Sequence, residues 1–255
     1  MPRKPLPTRV ADTPDLPPAY DDALERGLDE LGLVLAPDVR SAIDGHARLL
    51  LAWTGSVNLT AIREPSALAV GHVLDSLSAL ELLRERRVDR FVDLGAGGGY
   101  PGLPLAAALP AARALLAEPI GKKAAFLKTV IAATDLGGTT EAAAVRGETL
   151  AGDARHRGRW PAVTARALAS MADLVELAFP LLARGGILVA WKRGDLAAEL
   201  AAADRAITAL GGGRLEVIPV KVTGLEAHRL IVATALGRAP AAYPRDPGAR
   251  KRRPW

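Results

Sequence analysis

Phe91-Val-Asp-Leu-Gly-Ala-Gly-Gly-Gly-Tyr-Pro-Gly102 sets a short apolar run directly against a glycine-rich turn. The run predicts a buried strand. Glycine at Gly95, Gly97 and Gly99 lets the backbone turn tightly and approach a ligand where a Cβ would intrude. A G-x-G-x-x-G match exists in the register Gly97, Gly99, Gly102, but it starts beyond the strand end and contains Pro101. The register from Gly95, directly after Val92-Asp93-Leu94, is the better one, so the segment predicts strand, ligand loop and helix in that order.

Downstream, short apolar runs alternate with helix-length amphipathic segments, the pattern of a parallel sheet with crossover helices. Strands are expected near Arg90 to Gly95, Ala112 to Glu118, Thr140 to Val145, Ala162 to Ala167, Gly186 to Trp191, Leu215 to Val222 and Arg229 to Thr234. The last two are joined by Thr223-Gly-Leu-Glu-Ala-His228, too short for a parallel crossover, so they should pair antiparallel. The expected fold class is therefore α/β: a Rossmann-like, seven-stranded, mostly parallel sheet with an antiparallel last strand. That shape is the one of the common class of methyltransferases; a dehydrogenase sheet is normally all parallel.

Upstream, apolar residues recur at helical spacing from Tyr20 to Leu35 and from Asp38 to Trp53, with Pro37 as a helix-starting residue, and a third helix is expected from about Pro65 to Leu83. Prolines crowd residues 1–18, which reads as a flexible leader. The expected division is leader 1–18, helical extension 19–84, methyltransferase domain 85–237 and basic tail 238–255.

Composition narrows the chemistry. With 49% hydrophobic and 24% charged residues in 255, the chain has the apolar content for a real core. It has no cysteine, which excludes disulfides, zinc–thiolate sites and thiol nucleophiles. No metal is expected. The basic N-terminus has no apolar region behind it, and no apolar run is expected to reach the roughly 20 residues that cross a bilayer, so a cytoplasmic location without membrane contact is the simplest expectation. Net charge is +5, and Arg245, Arg250, Lys251, Arg252 and Arg253 crowd the last eleven residues, which favours a polyanionic partner.

Several polar residues stand out against this apolar frame. Glu118 follows Gly95 by 23 positions, close to the roughly 20 at which an acid in this topology reaches a ribose hydroxyl. Glu148 follows the third strand, at the edge where adenine is expected. Arg166 interrupts the apolar run Ala162 to Leu168 and has to emerge at the sheet edge or find a partner. Lys192 ends the fifth strand, where it meets phosphate, a target base or solvent. His72, Asp75 and Ser76 share one helix face.

Taken together, Asn58-Leu-Thr-Ala-Ile62, His72-Val-Leu-Asp-Ser-Leu77, Val92 to Pro104, Gly121-Lys-Lys-Ala-Ala-Phe-Leu127, Val163-Thr-Ala-Arg-Ala167 and Tyr243-Pro-Arg-Asp-Pro-Gly248 resemble the bacterial 16S rRNA guanine-N7 methyltransferase G family, also called glucose-inhibited division protein B. Order and spacing match over roughly residues 20 to 255. The resemblance implies S-adenosyl-L-methionine as cofactor, bound by Gly95, Gly97, Tyr100, Gly147, Glu148 and Arg166, with Glu118 on the ribose. It also implies 16S rRNA of the small ribosomal subunit as partner, with Arg166, Lys192 and His72 as candidates beside the reacting atoms. A monomer is expected. Departures from the family pattern are Gly71, where arginine is common, Tyr100, where phenylalanine or leucine is frequent, and Arg193, inserted in the family's Lys-Gly step. Read from the residues alone, an NAD-dependent oxidoreductase, a small-molecule methyltransferase and a non-catalytic RNA-binding protein stay open.

Overall fold

A computed structural model describes residues 5–255. Seven strands form one sheet in the order β3-β2-β1-β4-β5-β7-β6, where β1 is Arg90–Leu94, β2 Arg113–Ala117, β3 Thr140–Ala143, β4 Trp160–Arg166, β5 Leu182–Arg193, β6 Gly213–Pro219 and β7 His228–Ala235. The first five run parallel; β7 is antiparallel to both β5 and β6. The expected sheet is thus the observed one, and its order reverses beside β1, where the glycine turn leaves the carboxyl edge. That is where open α/β sheets bind ligands.

Side chains alternate across a strand, and the alternation assigns residues to two cores. Phe91, Ala162, Ile187, Val189 and Trp191 face the layer that holds the N-terminal helices. Val92, Val163, Leu188 and Ala190 face Met171–Ala178 and Ala197–Ala209 on the other side. By the same parity Arg166, four residues after Ala162, points to the first layer, whereas Lys192, next to Trp191, points to the second.

Among the described residues a 3-10 turn, Val10–Asp12, and three longer helical elements precede β1: α1 is Pro18–Leu31, α2 Pro37–Thr54 and α3 Pro65–Glu85. Both α1 and α2 open with proline in the first turn, where its missing N–H costs nothing, and α1 stops at Gly32 in the left-handed conformation. Within α3 the stretch Ala69–Leu74 winds as a π-helix, a local widening that sequence periodicity does not show.

Two expectations need correction. The described part of the leader is packed: Leu6, Val10 and Leu16 lie against the core, Trp53 Nε1 donates to Pro7 O at 2.8 Å, and Arg48 donates to Thr13 O. Proline removes donors but leaves carbonyls that side chains can bond, so a proline-rich stretch can still be held. Residues 1–4 of that leader lie outside the described residues. Second, α3 is long and apolar enough by length and composition to cross a membrane, with mean hydropathy 1.3. Of its most apolar window 56% is buried, and it carries His72 and Asp75 into the protein, so it serves here as a core helix.

Candidate active-site cleft

The glycine turn is anchored before it reaches any ligand. Gly95 N and Ala96 N both donate to Ala117 O, at 2.8 and 3.2 Å, which ties the loop to the end of β2. Gly95 has φ +69°, and a Cβ there would fall 2.6 Å from Leu168 Cδ1. Gly99 has φ +91° and would place a Cβ 2.8 Å from His46 Nε2. Either change strains the backbone and fills the cradle. Below the loop, Asp93 accepts from Gly102 N and from Thr164 Oγ1 (2.8 Å) in full burial. Burial pushes its carboxyl up to about 7.

On one side of the loop lies a cavity of about 200 Å³ whose walls include Leu94, Gly95, Ala117, Gly147, Glu148 and Arg250. Glu118, between the lining residues Ala117 and Pro119, is 4% exposed and accepts from Gly97 N at 2.9 Å and Ile120 N at 2.8 Å. A carboxylate offers about four lone-pair sites, so two N–H bonds leave capacity for ribose hydroxyls. Gly147 and Glu148 open the short helix Gly147–Gly152, and the Glu148 carboxylate pairs with Arg250. S-adenosylmethionine requires acceptors for its ribose, a side-chain-free backbone and an apolar slot for adenine. Glu118, the Gly95 turn, and Leu94, Ala117, Leu168 and Leu177 supply these, so the residues present fit the cofactor.

On the other side is a cavity of about 370 Å³, lined among others by His72, Asp75, Arg166, Lys192, Arg193 and His228. Arg166 organises it. The guanidinium donates from Nη1 to Gly71 O (2.9 Å) and Asp75 Oδ2 (3.0 Å), and from Nη2 to His72 Nδ1 (2.9 Å). Asp75, 2% exposed, accepts through its other oxygen from His228 Nδ1 at 3.0 Å, and its backbone carbonyl accepts from Trp191 Nε1 at 2.6 Å. Arginine only donates, so His72 Nδ1 is an acceptor and Nε2–H donates to Thr60 Oγ1 at 2.7 Å. Burial, then the Arg166 charge, holds His72 down to about 4, and His72 is neutral at pH 7.

Behind His72 and Arg166 lies Tyr100, stacked between His46 (centroids 4.3 Å apart) and His72 (4.7 Å), with the Arg166 guanidinium 5.5 Å from its ring. Burial raises the Tyr100 phenol and pushes His46, whose Nε2 bonds Gly98 O at 2.7 Å, down to about 3.

The cleft therefore gathers Gly95, Gly147 and Glu148 on one side, and His72 and Arg166 on the other, with Tyr100 packed behind His72 and Arg166 and Glu118 and Gly97 joined under the loop. Lys192 belongs only to the rim. Its ammonium turns to the opposite face of the sheet and donates to Glu199 (2.5 Å) and Ala169 O (2.6 Å). Asp75 enters as a buried anion rather than one of three equivalent helix residues; Ser76 merely donates to His72 O. His228 and His46 were not singled out by sequence. Nor does the basic tail act as one unit. Arg245 is held by Glu176 and Arg250 by Glu148, while Lys251, Arg252 and Arg253 are exposed.

Known proteins resemble this chain in sequence and in fold. The family model described as rRNA small subunit methyltransferase G matches residues 40–229. A curated relative from Roseiflexus sp. (strain RS-1), named Ribosomal RNA small subunit methyltransferase G, is 42% identical over 205 residues, covering 80% of this chain and 87% of its own length. One of the same name from Rubrobacter xylanophilus is 38% identical over 237 residues, covering 91% of this chain and 90% of its own. Among solved structures, an O-methyltransferase from Bacillus cereus in complex with SAH aligns with TM-score 0.55 at 14% identity, covering 75% of this chain and 91% of that one, a likeness of fold. With a loop that fits the cofactor, a matching family model across most of the chain and relatives of this identity, the chain belongs to the rRNA small subunit methyltransferase G family.

Proposed function

We propose that the chain transfers the methyl group of S-adenosylmethionine to N7 of a guanine in 16S rRNA of the small ribosomal subunit, in the cytoplasm. The observation that carries this reading is the pair of cavities on either side of the Ala167–Leu168 step just after β4, one fitted to the cofactor and the other lined by Arg166 and Arg193, in a chain whose residues 40–229 match the family. When bound, the cofactor supplies an electrophilic methyl on a sulfonium. Guanine N7 presents an in-plane lone pair and carries no proton, so the protein has to position the base rather than deprotonate it. Good alignment of this kind supplies roughly 7–11 kcal/mol of a barrier.

The residues around the second cavity suit that task. His72 is neutral and locked by Arg166 and Thr60, which makes it an orienting group rather than a base. Arg166 pairs with Asp75 and fixes Gly71 and His72 in one unit. Arg193, exposed at the mouth, is placed to meet phosphate, a contact that gives affinity without sequence information.

The test is transfer of labelled methyl from S-adenosylmethionine to small subunits, or to naked 16S rRNA, from cells lacking this gene, followed by mapping of N7-methylguanine. Label at a single guanine N7 is the expected outcome. Label on another base or atom, or binding of rRNA without transfer, would sink the reading.

A further inference from the structure

The C-terminal segment is built into the cleft. Arg245 donates to the fully buried Glu176 carboxylate from its backbone N (2.7 Å), Nε (3.0 Å) and Nη2 (2.5 Å), and Trp255 Nε1 donates to the same group at 2.7 Å. Burial pushes the Glu176 carboxyl up, but these donors outweigh it and hold the group below its ordinary range. The Trp255 ring covers the Arg245 guanidinium at 4.7 Å, and Arg157 donates to Tyr243 O and Pro240 O, both at 2.8 Å. Asp246 then caps the short helix Pro247–Arg252 through Ala249 N. The result is a fixed arm that delivers Arg250 into the cavity beside Gly95 and Gly147.

Arg250 is only 13% exposed there. One terminal nitrogen is satisfied by Glu148, while Nη1 is buried and has no hydrogen-bond partner among the described residues. We propose that Arg250 is a cofactor-binding residue: with Glu148 it forms the outer wall of the adenine–ribose half of the site, where its charged side chain lines the cavity beside Gly95 and Gly147. The inference rests on the methyl-transfer reading above. Its consequence is linkage, since a ligand that bonds the docked arm holds the arm down, and an undocked arm weakens the ligand by the same factor.

Calorimetric titration of S-adenosylhomocysteine into the full chain tests this. Arg250→Ala is expected to weaken binding about tenfold or more, the scale of one charge-assisted bond. Arg250→Lys, which keeps the charge and loses the planar fork, should recover only part of it. The triple variant Lys251→Ala/Arg252→Ala/Arg253→Ala should bind as the wild type does. Wild-type affinity in Arg250→Ala would overturn the proposal, whereas a wild-type chain that binds no S-adenosylhomocysteine would instead overturn the methyl-transfer reading. Because Arg250→Ala also strands Glu148, amide hydrogen exchange of the wild type gives a second readout. Exchange across residues 245–252 should slow when the ligand is added; unchanged exchange there, with binding seen by calorimetry, refutes the assignment.

Discussion

The two cavities proposed for cofactor and acceptor are made of different material. The cofactor half is mostly backbone: a turn emptied of side chains at Gly95 and Gly99, tied to β2 by Ala117 O and braced by the Glu118 carboxylate. The acceptor half is a charge cluster in which Arg166 of β4, Asp75 of α3 and His228 of β7 converge from distant parts of the chain. A backbone cradle loses function one contact at a time. A buried cluster fails together, because removing Arg166 or Asp75 leaves the other buried without its ion-pair partner.

Breaking the cluster should thus give the largest effect. Arg166→Ala and Asp75→Ala are each expected to cost about 3–5 kcal/mol of stability, the usual loss when a buried pair is opened. The double variant should lose little more than either single one. Urea unfolding of the four proteins measures it, and additive losses would show that Arg166 and Asp75 do not act as one unit.

The cradle should yield less. Glu118→Gln keeps the shape but removes a charged acceptor from Gly97 N and from the ribose side; a charged hydrogen bond is worth about 1.5–3 kcal/mol, so S-adenosylhomocysteine should bind about tenfold weaker. Titration calorimetry reads this directly. An unchanged affinity would remove Glu118 from the cofactor and leave it as a loop brace.

Opposite pH slopes separate the same regions more finely. His46 and His72 have folded pKa values near 3 and 4 against an ordinary 6.5, so the folded protein binds fewer protons and their contribution is lost as pH falls below about 6.5. Asp93 sits near 7 against 3.8, so its contribution is greatest below about 4 and is lost as pH rises towards 7. Each group adds a slope of at most roughly 1.4 kcal/mol per pH unit. His46→Phe should flatten the acid loss of stability and Asp93→Asn should steepen it, as thermal melts from pH 4 to about 7 would show. A shift in the same direction in both variants contradicts the assignment.

Much of this was legible in the sequence, because strand alternation and the turn after Leu94 are local signals. All seven strands fall where apolar runs predict them, with ends displaced by a few residues. The same parity that assigns Arg166 to the α3 side of the sheet sends Lys192 to Glu199 on the other, a distinction available from counting but not drawn from residue type. What could not be read is long-range. The π-helical winding of Ala69–Leu74 has no periodic signature, and it sets the relation of Gly71 O, His72 and Asp75 to Arg166. His228 reaches Asp75 only because β7 inserts between β5 and β6. For the arm one clue existed: Glu176 in the apolar run Met171-Ala-Asp-Leu-Val-Glu-Leu-Ala178 is a charge that needs a buried partner, and Arg245 supplies it.

The smallest expected effect concerns what remains of the basic tail. Arg245 and Arg250 are committed to Glu176 and Glu148, which leaves Lys251, Arg252 and Arg253 as the exposed cations of that segment. If these meet rRNA phosphates, the triple alanine variant should weaken rRNA binding a few-fold and reduce the slope of log affinity against log salt by about two, at roughly 0.7 per phosphate on a single strand. Affinity for S-adenosylhomocysteine should stay as it was. Arg250→Ala is expected to do the reverse, losing cofactor and keeping the salt slope. Two adjacent parts of one short helix would then report on the two sides of the cleft independently, and a salt slope unmoved by the triple variant would take this segment out of the RNA interface altogether.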